Sequence, residues 1–445
     1  MRDAWRLAIE AIRLVELKAF SERLALASIS KQLNIQTPEN IGLAHKLVIE
    51  TIRRRNYIDA LITHVLEPNS INNLNPRLRA FLRLYTYEMK FHGSANYEKA
   101  LRIAKIGRAI LGWRMLKDFE ETLGFILSID PRKSLAGNDI EKTSLETFQS
   151  NWFVKYCFRL LGRHEALQFF SSAMSNTPTY IRINTLKASE EELLEKICYD
   201  GLSLKKVDGL LHTYEVTKKN QALARTDSFK EGLFYIQDKA SCLATEVVAP
   251  EPGMKILDIC AAPGSKTTYL AQLMENKGTI YSIDYSKRRI QIWKRENTRM
   301  GVKITLPVIA DSFNSLPFCN IKVNRVFLDP PCSGTGTFSR SPQVKWRLSK
   351  RSLKHMASIQ WKMLNNCAGF VEKGGNLVYS TCSITIEENE MLIERFLRWN
   401  PEFSLVEARP RIGSPGLRGQ INSQRLYPHR HKCNGFFIAK LVKQI

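Results

Sequence analysis

Apolar residues recur every three or four positions from Ala4 to about Ile129, as in Leu7, Ile9, Ile12, Leu14 and Val15 and again in Leu78, Phe81, Leu82, Leu84 and Tyr85. This spacing predicts amphipathic helices. Turn-forming polar stretches at 69–76 and 92–96 interrupt it, so residues 1–132 read as an all-helical domain of roughly five to seven helices. Residues 133–150 are polar and irregular and read as a linker. Trp152–Met174 is helical in pattern, whereas Thr179–Asn184 and Leu233–Gln237 read as strands, so 151–245 is expected to be a small α+β subdomain. From Pro250 the apolar runs Lys255–Cys260, Thr279–Asp284, Thr305–Ala310, Arg325–Asp329 and Asn376–Ser380 alternate with helical stretches such as Thr267–Met274 and Arg288–Met300, and Gly435–Val442 reads as a closing strand. Strand–helix alternation of this kind predicts an α/β domain with a parallel sheet over 246–445.

Composition adds a partner. The 445 residues carry 66 Lys and Arg against 43 Asp and Glu, a formal charge of +23, which favours a polyanion such as nucleic acid. A hydrophobic fraction of 44% argues against disorder. The nine cysteines are irregularly spaced with no Cys-x-x-Cys pair, so neither a disulfide framework nor a metal site is expected. Charges near Met1 occupy the place of a signal-peptide core, and no apolar run is long enough to cross a bilayer. A cytoplasmic monomer with reduced thiols, away from membranes, is the expectation.

In a doubly wound sheet, ligands bind beyond the carboxyl ends of the strands. The first such turn is Asp258-Ile-Cys260-Ala261-Ala262-Pro263-Gly264-Ser265-Lys266-Thr-Thr268. Gly264 permits close backbone approach, and the following helix offers free N–H groups. The turn matches neither a P-loop nor a dinucleotide fingerprint. Asp284, Asp311 and Asp329 end successive strands and suit a nucleoside cofactor, and S-adenosylmethionine fits better than a dinucleotide because no pyrophosphate motif is present. Two cysteines follow apolar runs of the same sheet, Cys332 in Asp329-Pro-Pro-Cys332 and Cys382 in Ser380-Thr-Cys382-Ser383. A free cysteine is ordinarily a small buried hydrophobe. Two at strand ends of one cofactor sheet suggest covalent chemistry on an electrophilic ring. A thiolate adding to carbon 6 of cytosine makes carbon 5 nucleophilic enough to take a methyl group, and Asp329 is placed to hold the ring amine or nitrogen 3.

The motifs Asp258–Lys266, Asp329–Gly334, Ser380–Ser383, Tyr235–Ser241, Arg182–Asn184 and Asn434–Phe437 resemble those of the RNA cytosine C5 methyltransferases of the Sun/Fmu family, over roughly residues 150–445. The resemblance implies a Rossmann-like, S-adenosylmethionine-dependent sheet with Cys382 as nucleophile and Cys332 assisting product release. It also implies that Cys260, Ala261, Ala262, Pro263, Gly264, Ser265, Lys266, Asp284, Asp311 and Asp329 contact the cofactor. Ser265 stands where the family usually has a second glycine. DNA cytosine methyltransferases use a Pro-Cys nucleophile instead, under which Cys332 would attack. Leu47–Asp59 and Pro76–Glu88 resemble the NusB-type RNA-binding domain that precedes the catalytic unit in RsmB-like ribosomal RNA enzymes. Arg53, Arg54 and Arg55, and the basic tract Ser339–Lys354 with Trp346, are candidate RNA contacts. The expected substrate is structured RNA, ribosomal first and transfer RNA as the alternative. An exocyclic-amine methyltransferase and a non-catalytic ribosome-assembly protein remain competing readings.

Overall fold

The computed structural model describes residues 1–18, 20–129, 137–175, 177–314, 316 and 321–444. The chain forms two compact units, Met1–Ser175 with Phe338–Arg347, and Asn176–Thr337 with Leu348–Ile445.

The first unit is helical, as the spacing predicts. Its main helices are Arg2–Lys18, Glu22–Gln32, Pro38–Arg53, Arg55–Leu66, Pro76–Lys90, Tyr97–Leu111 and Glu120–Ser128. Pro38 and Pro76 open their helices at a position whose N–H would have no partner. Pro76–Lys90 runs through the core, with every residue from Leu78 to Met89 buried. The Arg83 guanidinium survives there because Asp59 lies 2.6 Å and Glu16 3.3 Å from it.

Three expectations change in this unit. Arg53, Arg54 and Arg55 do not form a free basic face. Arg53 is buried and paired with Glu50, Arg54 lies 5.2 Å from the Phe91 ring centre, and Arg55 is 3.3 Å from Asp59. Of the expected linker, 133–136 fall outside the described residues, while Asn138 caps a helix at Asp139–Glu146. Helices Asn151–Leu161 and Arg163–Ser172 also belong here, because Phe153 packs against Phe338, ring centres 5.3 Å apart.

The third change concerns the basic tract. Its first half, Ser339–Arg347, is part of the helical unit. The Trp346 indole donates to the Ile52 carbonyl at 2.6 Å, and the buried Lys345 amine faces the carbonyls of Phe148 at 3.1 Å and Arg53 at 3.5 Å. Ile52 and Arg53 end helix Pro38–Arg53, whose last carbonyls lack intrahelical partners and whose negative dipole end favours a cation. Trp346 and Lys345 are thus engaged by backbone carbonyls within the helical unit. Its second half opens helix Lys350–Ala368, where Lys350, Arg351 and Lys354 are exposed.

The second unit holds two sheets. Strands β1 (Tyr180–Ile183), β2 (Leu202–Lys206), β3 (Thr213–Lys219) and β4 (Phe234–Ile236) form an antiparallel sheet in the order β2-β3-β1-β4. The large sheet contains β5 (Lys255–Ile259), β6 (Thr279–Asp284), β7 (Thr305–Ile309), β8 (Val323–Leu328), β9 (Val371–Thr381), β10 (Phe403–Val406), β11 (Ser414–Pro415), β12 (Gln424–Leu426) and β13 (Phe436–Lys443). Its order is β11-β12-β13-β9-β8-β5-β6-β7, parallel from β9 to β7, with β13 antiparallel against β9. The mixed α/β fold with a Rossmann-like parallel sheet is the one expected. The chain winds outward from β5 to β7, then returns to the other side of β5 as β8. Ligands bind at such a reversal. Among the described residues no helix is long and apolar enough to cross a membrane.

Candidate active site

The reversal opens a cavity of about 670 Å³ beyond the carboxyl ends of β5, β6, β7 and β8, within the ordinary range for a small-molecule site. Its wall contains Cys260, Ala261, Ala262, Pro263, Ser265, Lys266, Asp284, Asp311, Asp329, Cys332 and Cys382. The fold therefore brings together every catalytic and cofactor candidate singled out from the sequence except Gly264. That glycine sits behind the wall at φ +110°, where a Cβ would meet Trp293 and Asn297 at 3.2 Å. Its need for glycine is thus a matter of helix packing as well as backbone conformation.

The turn after β5 is tight. Cys260 itself takes φ +65°, a conformation disfavoured for a side chain and held here by the surrounding turn. The Cys260 thiol is pushed up by burial and by the charges of Asp329 and Asp284, so it is an inert thiol at neutral pH. Below it, burial pushes the Asp258 carboxyl up to about 7, with Thr267 donating a hydrogen bond at 2.5 Å. Asp284 ends β6 with its side chain buried. It accepts from the backbone N–H groups of Ser286 at 3.0 Å and Ala262 at 3.3 Å, and Arg289 lies 3.2 Å away. Asp311 bonds within its own turn, accepting from Phe313 N at 3.0 Å.

The reactive end lies beyond β8 and β9. Lys266 Nζ is 2.6 Å from Asp329 Oδ2, and Ser380 donates to Asp329 Oδ1 at 2.8 Å. Burial works against the Lys266 ammonium, but the Asp329 carboxylate outweighs it and the pKa is raised. The Cys332 and Cys382 sulfurs are 3.1 Å apart. The Cys332 thiol is pushed well up, first by its hydrogen bond with Cys382, then by burial and the charge of Glu388. The raised pKa keeps the Cys332 thiol protonated at neutral pH, facing the Cys382 sulfur. Two thiols in contact beside a carboxylate–ammonium pair can attack an electrophilic ring carbon and handle a proton next to it.

The sequence reading omitted several cavity residues. Arg289 lies on the helix after β6, and Phe313, His355, Ile359 and Met363 line the cavity. No sequence signal separates these from ordinary helix and loop residues. Glu388, whose carboxylate bonds the loops of both cysteines, stands in the run Glu387-Glu388-Asn389-Glu390, which reads as an ordinary solvated turn.

The description 16S rRNA methyltransferase RsmB/F matches residues 245–442, and the NusB family matches residues 2–104. Two bacterial relatives bear the name probable ribosomal RNA small subunit methyltransferase B. That of Bacillus subtilis is 29% identical, covering 98% of each chain, and that of Synechocystis is 30% identical, covering 92% of each. Among solved structures, PH0851 superimposes with a TM-score of 0.87 over 100% of this chain and 99% of its own, at 30% identity. NSun6 from Pyrococcus horikoshii, solved with SFG, has a TM-score of 0.61 and 28% identity over 65% of this chain and 97% of its own.

Proposed function

Because the chain belongs to the RsmB/F family of 16S ribosomal RNA methyltransferases, and is an RNA cytosine-C5 methyltransferase, we propose that it methylates a ribosomal RNA cytosine with S-adenosylmethionine through a covalent Cys382 adduct. The observation that carries this reading is the pair of sulfurs 3.1 Å apart beside the Asp329–Lys266 pair, in one cavity with the turn after β5.

The cavity lining fits the cofactor. The buried Asp284 carboxylate suits ribose hydroxyls, Phe313, Ile359 and Met363 offer apolar surface to adenine, and the backbone of 260–263 borders the space between. SFG, present in the NSun6 structure, is an S-adenosylmethionine analogue. When bound, S-adenosylmethionine supplies an electrophilic methyl group. Asp329, oriented by Ser380 and Lys266, accepts a hydrogen bond from the cytosine amine and fixes the ring. Cys382 adds through sulfur to carbon 6, and the electron pair displaced toward carbon 5 is the one that takes the methyl group. Transfer of the carbon 5 proton to solvent water then re-forms the carbon 5–carbon 6 double bond and expels Cys382 as its thiolate. Cys332, protonated beside the departing sulfur, assists that release. The NusB-like residues 2–104 are proposed to grip the RNA.

Incubation with labelled cofactor and total RNA, followed by digestion to nucleosides, tests the reading. Label in 5-methylcytidine of small-subunit ribosomal RNA supports it. Label in transfer RNA corrects the substrate, and label in N6-methyladenosine refutes the chemistry.

A further inference from the structure

We propose that Glu388 is the positioning residue of the two-thiol site, a single buried carboxylate that ties the Cys332 loop to the Cys382 loop and so sets the sulfur–sulfur approach. The proposal rests on the two-cysteine reading above.

Glu388 is fully buried, and among the described residues no lysine or arginine forms an ion pair with it. Five donors surround it instead. Oε1 accepts from Ser333 N at 2.7 Å and Gln360 Nε2 at 3.0 Å, and Oε2 from the hydroxyls of Ser333 at 2.5 Å, Ser383 at 2.6 Å and Thr385 at 2.7 Å. Ser333 follows Cys332 and Ser383 follows Cys382. Gln360 also donates to the carbonyl of Pro331, which precedes Cys332, at 3.0 Å. On the other loop, Asn389 accepts from Thr381 Oγ1 at 2.6 Å and donates to Ser383 O at 2.9 Å. Each cysteine is therefore held on both sides by a network that converges on neighbouring residues of one turn.

A carboxylate buried without a cation is expensive unless several hydrogen bonds satisfy it. Packing alone would be served better by an apolar side chain of similar size. What an apolar side chain cannot do is accept from two separate loops at once. The donors also sort usefully. The Ser333 backbone amide, which cannot reverse, and the Gln360 amide, whose NH₂ is also held by Pro331 O, share Oε1, while Oε2 faces hydroxyls that can turn and accept. Glutamine can therefore reproduce the connections with its oxygen at Oε1 and its NH₂ at Oε2, whereas alanine severs both loops.

The test compares E388Q, E388A and Q360M in the full chain. Rates of 5-methylcytidine formation, KM for S-adenosylmethionine, and the rate at which diamide cross-links Cys332 to Cys382, read by peptide mass spectrometry, are measured. E388A is expected to lower kcat at least about a hundredfold, with KM for the cofactor within about twofold and cross-linking slowed at least about tenfold, as expected when reacting groups are misplaced by about 1 Å. E388Q should retain kcat within about tenfold, and Q360M should fall between them. If E388A does not fold, E388Q and Q360M carry the result through the cross-linking rate. Unchanged kcat and cross-linking in E388A, or in Q360M where E388A does not fold, overturn the proposal. So does E388Q as impaired as a folded E388A. If the unaltered protein fails to form 5-methylcytidine, the two-cysteine reading falls separately, and cross-linking still reports whether Glu388 sets the loop spacing.

Discussion

Replacing Lys345 by methionine should stabilise the protein near neutral pH, and the gain should vanish in alkali. The Lys345 side chain is 2% exposed, and its pKa is lowered from 10.5 to about 7 by burial and then by the Arg53 and Arg54 charges. The unfolded chain binds the proton below about 10.5, and the folded chain gives it up above about 7. Stability therefore rises with pH across that window, and the full penalty for a protonated amine applies below it. At about 1.4 kcal/mol per pH unit, a displacement of this size corresponds to roughly 3–5 kcal/mol. Methionine removes that penalty but also forfeits the donor to Phe148 O and Arg53 O, a loss of about 1–2 kcal/mol. The expected balance is a gain of about 2–3 kcal/mol at pH 6, or roughly 5–10 °C in the midpoint for a unit of this size, shrinking to about zero near pH 9.5. Thermal unfolding of both proteins at pH 6 and pH 9.5, followed by circular dichroism, measures it. A loss of stability independent of pH would refute the reasoning. RNA affinity should stay within about twofold, because an enclosed amine cannot neutralise a phosphate; a smaller salt dependence in the variant would return Lys345 to the RNA surface.

Cys382→Ala should abolish 5-methylcytidine formation, whereas Cys332→Ala should accumulate a protein–RNA adduct that survives denaturing electrophoresis; exchanged outcomes would reverse the two roles. Asp258→Asn should stabilise the second unit by up to about 3 kcal/mol at pH 8, because burial raises this carboxyl to about 7 and the penalty for ionising it is complete only above that pH. Denaturant melts should find the gain lost toward pH 4, and an equal gain at both pH values would exclude ionisation as its cause. Arg425→Met should cost about 3–5 kcal/mol by leaving Glu390 buried without its partner, and adding Glu390→Leu should recover much of it. A double-mutant cycle showing simple additivity would remove the coupling.

What the sequence made legible follows from where each kind of information lies. Strand ends are local: an apolar run followed by aspartate or cysteine names both the strand and the residue exposed at its tip, and the parallel sheet aligns those tips. Asp284, Asp329, Cys332 and Cys382 could thus be read one at a time and still meet in one cavity. The domain edges were harder because they depend on long-range closure. Trp346 finds its acceptor 294 positions away at Ile52, and a basic tract that caps a distant helix is written in the same residues as one that binds RNA. Charge alone cannot separate the two, since both uses bring cations to partial or full negative charge. The arginines at 53–55 are ambiguous for the same reason, their acidic partners Glu50 and Asp59 being visible in the sequence but the pairing and the burial of Arg53 not.

Glu388 belongs to a third category. Its run of acids looks like an ordinary solvated turn, because the side chains that satisfy it come from loops and a helix separated along the chain. Only when Ser333, Gln360 and Ser383 converge on it does a buried carboxylate become an economical solution, since one acceptor group with several lone pairs can hold two separate loops that each present donors. Reactive groups at strand tips are specified by their own neighbours, whereas the groups that hold them at a working distance must reach across strands. The second kind therefore becomes visible at the level of hydrogen bonds, where a change as small as E388Q against E388A separates shape from connection.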